Sequence, residues 1–196
     1  MLGWAIEWQR GDERLRITEP TELEVADAAP LLAAFYNDPD NRRLLANTIT
    51  LSEADVVDVY RDCRAAGGRP LLLWRNGVLA GDADLRRVDA AARTAEFAIL
   101  VGDRAQQGQG LGTRFAVMAH AFAFATLGFR RLYIAIVADN AGSRRLFEKL
   151  GYQPDDSAPA RAGADAPEDL TLSCSRARFE SLWARETVDV RIERRG

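Results

Sequence analysis

Trp4, Ile6 and Trp8 alternate with smaller or polar residues, and Leu15 and Ile17 repeat that alternation beyond the Gly11-Asp12 break. A period of two predicts short strands, because successive strand side chains point to opposite faces. Between residues 26 and 36 the period lengthens. Ala29, Leu31, Leu32, Phe35 and Tyr36 recur at helical spacing, and Asn37-Asp38-Pro39-Asp40 is expected to stop that helix. Ser52 starts a second helix, with Asp55 reaching back to it, Val56, Val59, Tyr60 and Cys63 as the buried stripe, and Gly67-Gly68 as its end.

Strands dominate next. Residues 70–75 and 78–87 flank Asn76-Gly77, a dipeptide suited to tight hairpins, and 94–101 carries Phe97, Ile99 and Val101 on one face. A glycine-rich turn at 106–112 leads into a long helix over about 111–127, in which Leu111, Phe115, Met118, Ala119 and Phe122 share a face. Gly128 ends it. Residues 131–138 read as a strand, and Asp139-Asn140 caps a helix running to Leu150 and Gly151.

With three prolines among Ala, Asp and Ser, 153–169 reads as a mobile loop. A strand at 170–175, a short helix at 179–183 and a tail over 184–196 complete the chain, with Arg191, Arg194 and Arg195 expected to be solvated. The alternation of strands and helices predicts one mixed α/β (α+β) domain spanning 1–196.

Composition narrows the chemistry. At 47% hydrophobic residues, a chain of 196 can build a core without disulfides. A formal charge of −3 offers no bulk basic face, which argues against nucleic acid as a partner. Cys63, Cys174 and His120 cannot assemble a Cys/His zinc cluster, so no metal is expected, and the sparse cysteines suit a reduced cytoplasmic compartment. His120, on the apolar helix, reads as a core or surface histidine, and Cys63 and Cys174 as small apolar fillers. The longest apolar run, 115–127, is interrupted by His120 and Thr126 and falls short of the roughly 20 residues a membrane span needs. Residues 1–14 lack the basic and apolar segments of a secretory leader, so neither leader nor membrane partner is expected.

The most informative segment is Gln106-Gln107-Gly108-Gln109-Gly110-Leu111-Gly112-Thr113, between a strand and a long helix. Glycines there admit positive φ, and the helix start adds unsatisfied N–H donors and partial positive charge. Such a nest suits a pyrophosphate. Thr113 stands where a dinucleotide fingerprint needs its third glycine, and no lysine follows Gly112 as in a P-loop. A tight turn without a ligand would account for the same glycines.

Two motifs together are more specific. Gln107-x-x-Gly110-x-Gly112, after a strand containing Ala95-Glu96-Phe97, resembles the acetyl-coenzyme-A loop of the GNAT N-acetyltransferase superfamily. The segment from Ala138-Asp139-Asn140 through Ser143 to Leu150-Gly151-Tyr152 resembles that family's second signature, nearest to the branch acetylating protein N-termini, ribosomal proteins and small amines. The resemblance covers residues 15–175. It implies a central mixed, largely antiparallel twisted sheet flanked by helices, with acyl-CoA bound at a splayed strand pair.

It also implies roles. Residues Gln107, Gly108, Gln109, Gly110, Leu111, Gly112 and Thr113 would hold the CoA phosphates, with Gln107 replacing an arginine frequent there. Backbone groups of Ile99, Leu100 and Val101 would hold pantetheine and polarise the thioester. Asn140 and Ser143 would flank the pantetheine arm, although a helix cap and a first-turn residue describe them equally well. Glu96 is the candidate base, with Asp82 and Asp84 as rivals on the neighbouring strand and a solvated strand charge as the alternative. Phe147 stands where many relatives carry a proton-donating tyrosine, so it is expected to pack against CoA or the core, and the general acid is unassigned. Tyr36, with Asp82 and Asp84, would line the acceptor side, and Asp155, Asp156 and Asp165 add negative charge there.

The reaction implied is acetyl transfer from acetyl-CoA, without metal, to a primary amine on a small molecule or peptide N-terminus. Missing its tyrosine, the chain also admits a noncatalytic acyl-CoA sensor or scaffold; a homodimer is left open.

Overall fold

The computed structural model describes residues 3–196. Strands β1 (Trp4–Arg10), β2 (Glu13–Thr18), β3 (Arg69–Arg75), β4 (Val78–Asp89), β5 (Thr94–Val101), β6 (Arg131–Ile136), β7 (Gln153–Pro154), β8 (Leu170–Ser175) and β9 (Arg191–Arg194) form one sheet. Their order is β7-β8-β6-β5-β4-β3-β2-β1-β9. The helices are α1 (Glu22–Asn37), α2 (Pro39–Leu44), α3 (Glu53–Ala65), α4 (Leu111–Ala121), α5 (Ala141–Leu150), α6 (Ala158–Arg161) and α7 (Arg176–Thr187). The α+β class and the largely antiparallel sheet agree with the sequence reading.

Alternation in the sequence becomes burial in the sheet: Ile6, Trp8, Leu15 and Ile17 all face the core. One face is covered by α1 and α3, whose Val25, Leu32, Val56 and Tyr60 pack on Leu72 and Leu79. The other carries α4 and the turn that continues it, where Phe115, Met118 and Phe122 are fully buried beside Phe97, Phe147 and Phe179. Every neighbouring strand pair is antiparallel except β5 and β6. That parallel pair bonds only at Thr94↔Arg131, Ala95↔Leu132 and Glu96↔Tyr133. Beyond Glu96 the two strands part, and the sheet opens into a V.

Several boundaries differ from the sequence expectations. α1 starts earlier than residue 26, because Thr21 and Glu24 form a capping box ahead of the apolar stripe. The Asn37-Asp38-Pro39 stop also starts α2: Asp38 accepts from the amides of Asp40 and Asn41, and Pro39 occupies the first helical turn. α4 continues into a π-helical turn over Phe122–Thr126. Segment 153–169 contains β7 and α6, and α7 runs well past 179–183. The tail is a strand rather than a free end, although Arg191 and Arg194 on it stay exposed as expected. β9 pairs with β1, and Arg195 reaches both oxygens of Glu24.

Candidate active site

The V between β5 and β6 is the centre of two adjoining cavities. The first, about 450 Å³, is bordered by Ile99, Leu100 and Val101 on one side and by the glycine loop on the other. Gly108 and Gly110 take φ of 74° and 75°, the left-handed region that glycine enters without a Cβ penalty. Through these bends the loop reaches α4 with the N–H groups of residues 108–113 free of any acceptor among the described residues. The first bond of the helix runs from Arg114 N–H to the Gly110 carbonyl at 3.2 Å. Open amides at the positive end of an 11-residue helix form an anion cradle.

Gly108, Gly110, Gly112 and Thr113 line this cavity with Gln107, Asn140 and Ser143. Gln109 and Leu111 do not: Gln109 folds its amide back to the Ala105 carbonyl at 2.7 Å, and the Leu111 side chain is in the core. The Gln107 side chain braces the loop, donating to the Val101 carbonyl at 2.8 Å and to Asn41 Oδ1 at 3.0 Å. Asn140 caps α5 by accepting from Ser143 N–H at 2.9 Å and also borders the cavity, so cap and lining coexist.

β5 is held close to its neighbour. Gly81 on β4 sits at φ 156°, and a Cβ there would come within 1.9 Å of the Leu100 carbonyl oxygen. Only glycine permits that approach.

Sequence reasoning missed Arg145 and Lys149. They lie four apart on α5 with Gly142 and Leu146, on the face turned to the first cavity, while Arg144 pairs with Glu148 on another face. Neither cation is in an ion pair among the described residues. Lys149 is the chain's one lysine, a compositional signal that could have marked it.

A second cavity, about 100 Å³, passes through the V to the α6 side, where Phe97, Ala98, Phe147, Gly163, Asp165 and Asp169 border it with Arg86. Phe147 is buried, edge-on to Phe97 and Tyr152, and presents no proton donor to the cavity. Asp169 Oδ2 accepts the Asp165 and Ala166 amides at 2.9 and 3.0 Å, which gives this wall of the 153–169 segment a fixed turn.

The carboxylates differ sharply. Glu96, 4% exposed, has both oxygens engaged: Arg86 meets Oε1 at 2.7 Å and Arg87 meets Oε2 at 2.7 Å. Consecutive strand residues normally point to opposite faces. Here the β4–β5 register shifts after Arg86, and Arg87 turns to φ 48°, so both guanidinium groups reach one carboxylate. The α6 segment closes over them at Gly163, where a Cβ would lie 2.4 Å from Glu96 Oε2.

Asp82 accepts from the hydroxyls of Tyr36 and Tyr60 on the same oxygen, the latter at 2.9 Å. Burial pushes its pKa up to about 6 despite these bonds. Tyr36 thus binds Asp82 rather than lining either cavity, and burial holds its own hydroxyl well above the ordinary range. Asp84 has a buried Oδ1 with no hydrogen-bond partner, and burial pushes its pKa up to about 7.

His120 is fully buried, and burial pushes its pKa down to about 4. Its Nδ1 faces the Ala116 carbonyl at 2.7 Å, so that nitrogen donates and Nε2 accepts from the Tyr152 hydroxyl at 2.7 Å. This is a core histidine. Cys63 and Cys174 are unpaired thiols whose pKa burial raises to about 11.

Comparison with known proteins agrees with this geometry. A stretch of 77 residues is 32% identical to spermidine N(1)-acetyltransferase of Escherichia coli K12, covering 39% of this chain and 41% of that protein. The chain thus matches less than half the length of that relative. Among solved structures, spermidine N-acetyltransferase from Vibrio cholerae in complex with CoA and spermine superposes with a TM-score of 0.70 at 14% identity, covering 84% of this chain and 97% of that one. Mycobacterium smegmatis RimJ in complex with CoA-disulfide gives 0.70 at 13% identity over 96% of both chains. These structural likenesses concern the fold. Residues 14–153 match the acetyltransferase (GNAT) domain, and the chain belongs to the GNAT acetyltransferase family.

Proposed function

We propose that this protein transfers the acetyl group of acetyl-CoA to a primary amine. The observation that carries the reading is the open row of amides at 108–113, which borders the same cavity as the Ile99–Val101 stretch of β5 beyond its last pair with β6. A CoA pyrophosphate on that cradle would send its pantetheine arm into the V. There the free edge of β5 around Ile99 to Val101 would hold the arm and hydrogen-bond the thioester oxygen. Arg145 and Lys149 add positive charge where Gln107 supplies none. Bringing amine and thioester together in the V contributes rate through positioning. No general acid is needed for a thiol with an unperturbed pKa near 8.5 to leave near neutral pH, which suits Phe147.

The acceptor enters from the α6 side. Asp165 on that wall favours a cationic amine, and the likeness to a spermidine acetyltransferase, though confined to 77 residues, supports the same class. The test is release of free CoA thiol from acetyl-CoA with spermidine, spermine, an aminoglycoside and a peptide with a free N-terminus, each product checked by mass spectrometry. Thiol release matched by an acetylated amine is expected. CoA binding without release from any of them would instead favour a noncatalytic acyl-CoA sensor.

A further inference from the structure

We propose that Asp84, rather than Glu96, takes the proton from the acceptor amine. The inference rests on the acetyl-transfer reading above and assigns its base. Three observations carry it, and the first is register. Across β4 and β5, Arg86 stands opposite Glu96, Asp84 opposite Ala98, and Asp82 opposite Leu100. Directly paired side chains share a face of the sheet. β5 and β6 are still bonded at Glu96, and Ala98 lies beyond their last pair. Ala98 and Arg86 both border the second cavity. Asp84, which itself borders neither cavity, therefore pairs with the first residue on this face of β5 beyond the bonded stretch, whereas Glu96 lies within that stretch.

The second observation is availability. A carboxylate whose two oxygens each accept from an arginine has most of its accepting capacity engaged before a substrate arrives. That describes Glu96, and two tyrosine hydroxyls occupy an oxygen of Asp82. Asp84 Oδ1 is buried and unpartnered, while the side chain as a whole keeps 28% of its surface open. Its closest cation, Arg86 Nε, is 3.7 Å away, beyond hydrogen-bond reach and already donating to Glu96 at 2.9 Å.

The third is the electrostatic setting. Asp84 is surrounded by Asp82, Arg86 and Arg87 from β4, Glu96 from β5, Tyr36 from α1, and Tyr60 and Cys63 from α3. Burial, with the charges of Asp82 and Glu96, outweighs the two arginines and pushes its pKa up to about 7. A base is most useful when its pKa lies near the working pH.

In the step assigned, the Asp84 carboxylate takes one proton from the ammonium form of the acceptor. The freed nitrogen lone pair bonds to the thioester carbonyl carbon. The carbon–sulfur bond then breaks, sulfur leaves with its electron pair, and the second nitrogen proton passes to that thiolate. Asp84 afterwards returns its proton to solvent. Ammonium and acetyl-CoA become acetamide, CoA thiol and one released proton.

Steady-state rates of the whole protein with acetyl-CoA and spermidine, or the fastest amine of the panel above, would be followed from pH 5.5 to 9 for the parent, Asp84→Asn, Asp84→Glu and Glu96→Gln. For Asp84→Asn, kcat is expected to fall roughly 100-fold or more, with CoA affinity within about twofold by calorimetry and loss of the rise in kcat/KM near pH 7. Asp84→Glu, keeping a carboxyl, should recover at least about a tenth of the rate, and Glu96→Gln should keep the rise while lowering Tm. An Asp84→Asn protein that keeps the rise, or a Glu96→Gln protein that loses it, overturns the assignment while leaving acetyl transfer intact. A parent that binds CoA but acetylates no amine fails the transfer reading itself, and the assignment with it.

Discussion

Gln107 and Asn41, 66 residues apart, are joined by a 3.0 Å hydrogen bond that ties the glycine loop to α2. Asn41 is 1% exposed and also donates to the carbonyls of Phe35 and Gly102. It therefore links the end of α1, the end of β5 and the glycine loop. Asn41→Ala removes all three contacts and leaves buried carbonyls unpaired, a loss of about 1–3 kcal/mol for a buried group. Tm should drop by several degrees. CoA affinity should fall roughly tenfold, about 1.4 kcal/mol, because the loop loses its brace, and denaturant melts with calorimetric titration measure the two effects. Unchanged CoA affinity alongside a lowered Tm would make Asn41 a packing residue only.

Gly110 tests the cradle itself. Its φ of 75° is unfavourable for a side chain, yet a Cβ there would meet nothing within 4 Å. Gly110→Ala should thus cost only backbone strain, about 1–2 kcal/mol. Gly110→Trp carries the same strain but puts an indole in the mouth of the cavity. Its Tm should match that of the alanine variant while CoA binding disappears from titration. Retained CoA affinity in the tryptophan variant would contradict the placement of the phosphates.

The strands and long helices were legible because their patterns reflect burial directly: Ile6 and Trp8 point inward at period two, and Phe115 and Phe122 at helical spacing. What escaped notice had other physics. β9 has Ile192 as its one apolar residue among Arg191, Glu193 and Arg194, the charged composition that protects an edge strand and imitates a tail. The glycine loop and Asn140 were visible as sequence motifs. The engagement of Glu96 was not, because it depends on the irregularity that turns Arg87 toward it. Nor could spacing show that Asn41 braces a loop so far along the chain.

Asp84 has a cost to stability. Its pKa is raised to about 7 from an ordinary value of 3.8, so the folded state binds the proton more tightly than the unfolded chain. Its contribution is fully present below about pH 4 and is lost as pH rises through about 7. Asp84→Asn removes the ionisation and should be more stable than the parent at pH 8, by roughly 1–2 kcal/mol after allowing for screening at its open edge. The advantage should shrink toward pH 5. Urea unfolding of both proteins at pH 5 and pH 8 measures it, and a pH-independent difference would show that Asp84 ionises without penalty.

His120 acts in the opposite sense. Its pKa is pushed down from 6.5 to about 4, so the unfolded chain binds the proton more readily. Stability is complete above pH 6.5 and is lost as pH falls through about 4. The loss from this group should be on the order of 2 kcal/mol between pH 7.5 and 5. Tyr152→Phe removes the hydroxyl that donates to Nε2 and should destabilise by about 1–3 kcal/mol, since the nitrogen stays buried among Phe97, Phe124 and Phe179. Replacing both partners, His120→Phe with Tyr152→Phe, removes donor and acceptor together from an aromatic site. Only the Ala116 carbonyl then loses its side-chain partner, while its helical bond remains available. The double variant should regain most of the stability lost by Tyr152→Phe and show a shallower acid limb than the parent. An unaltered limb in that variant would place the acid sensitivity elsewhere in the fold.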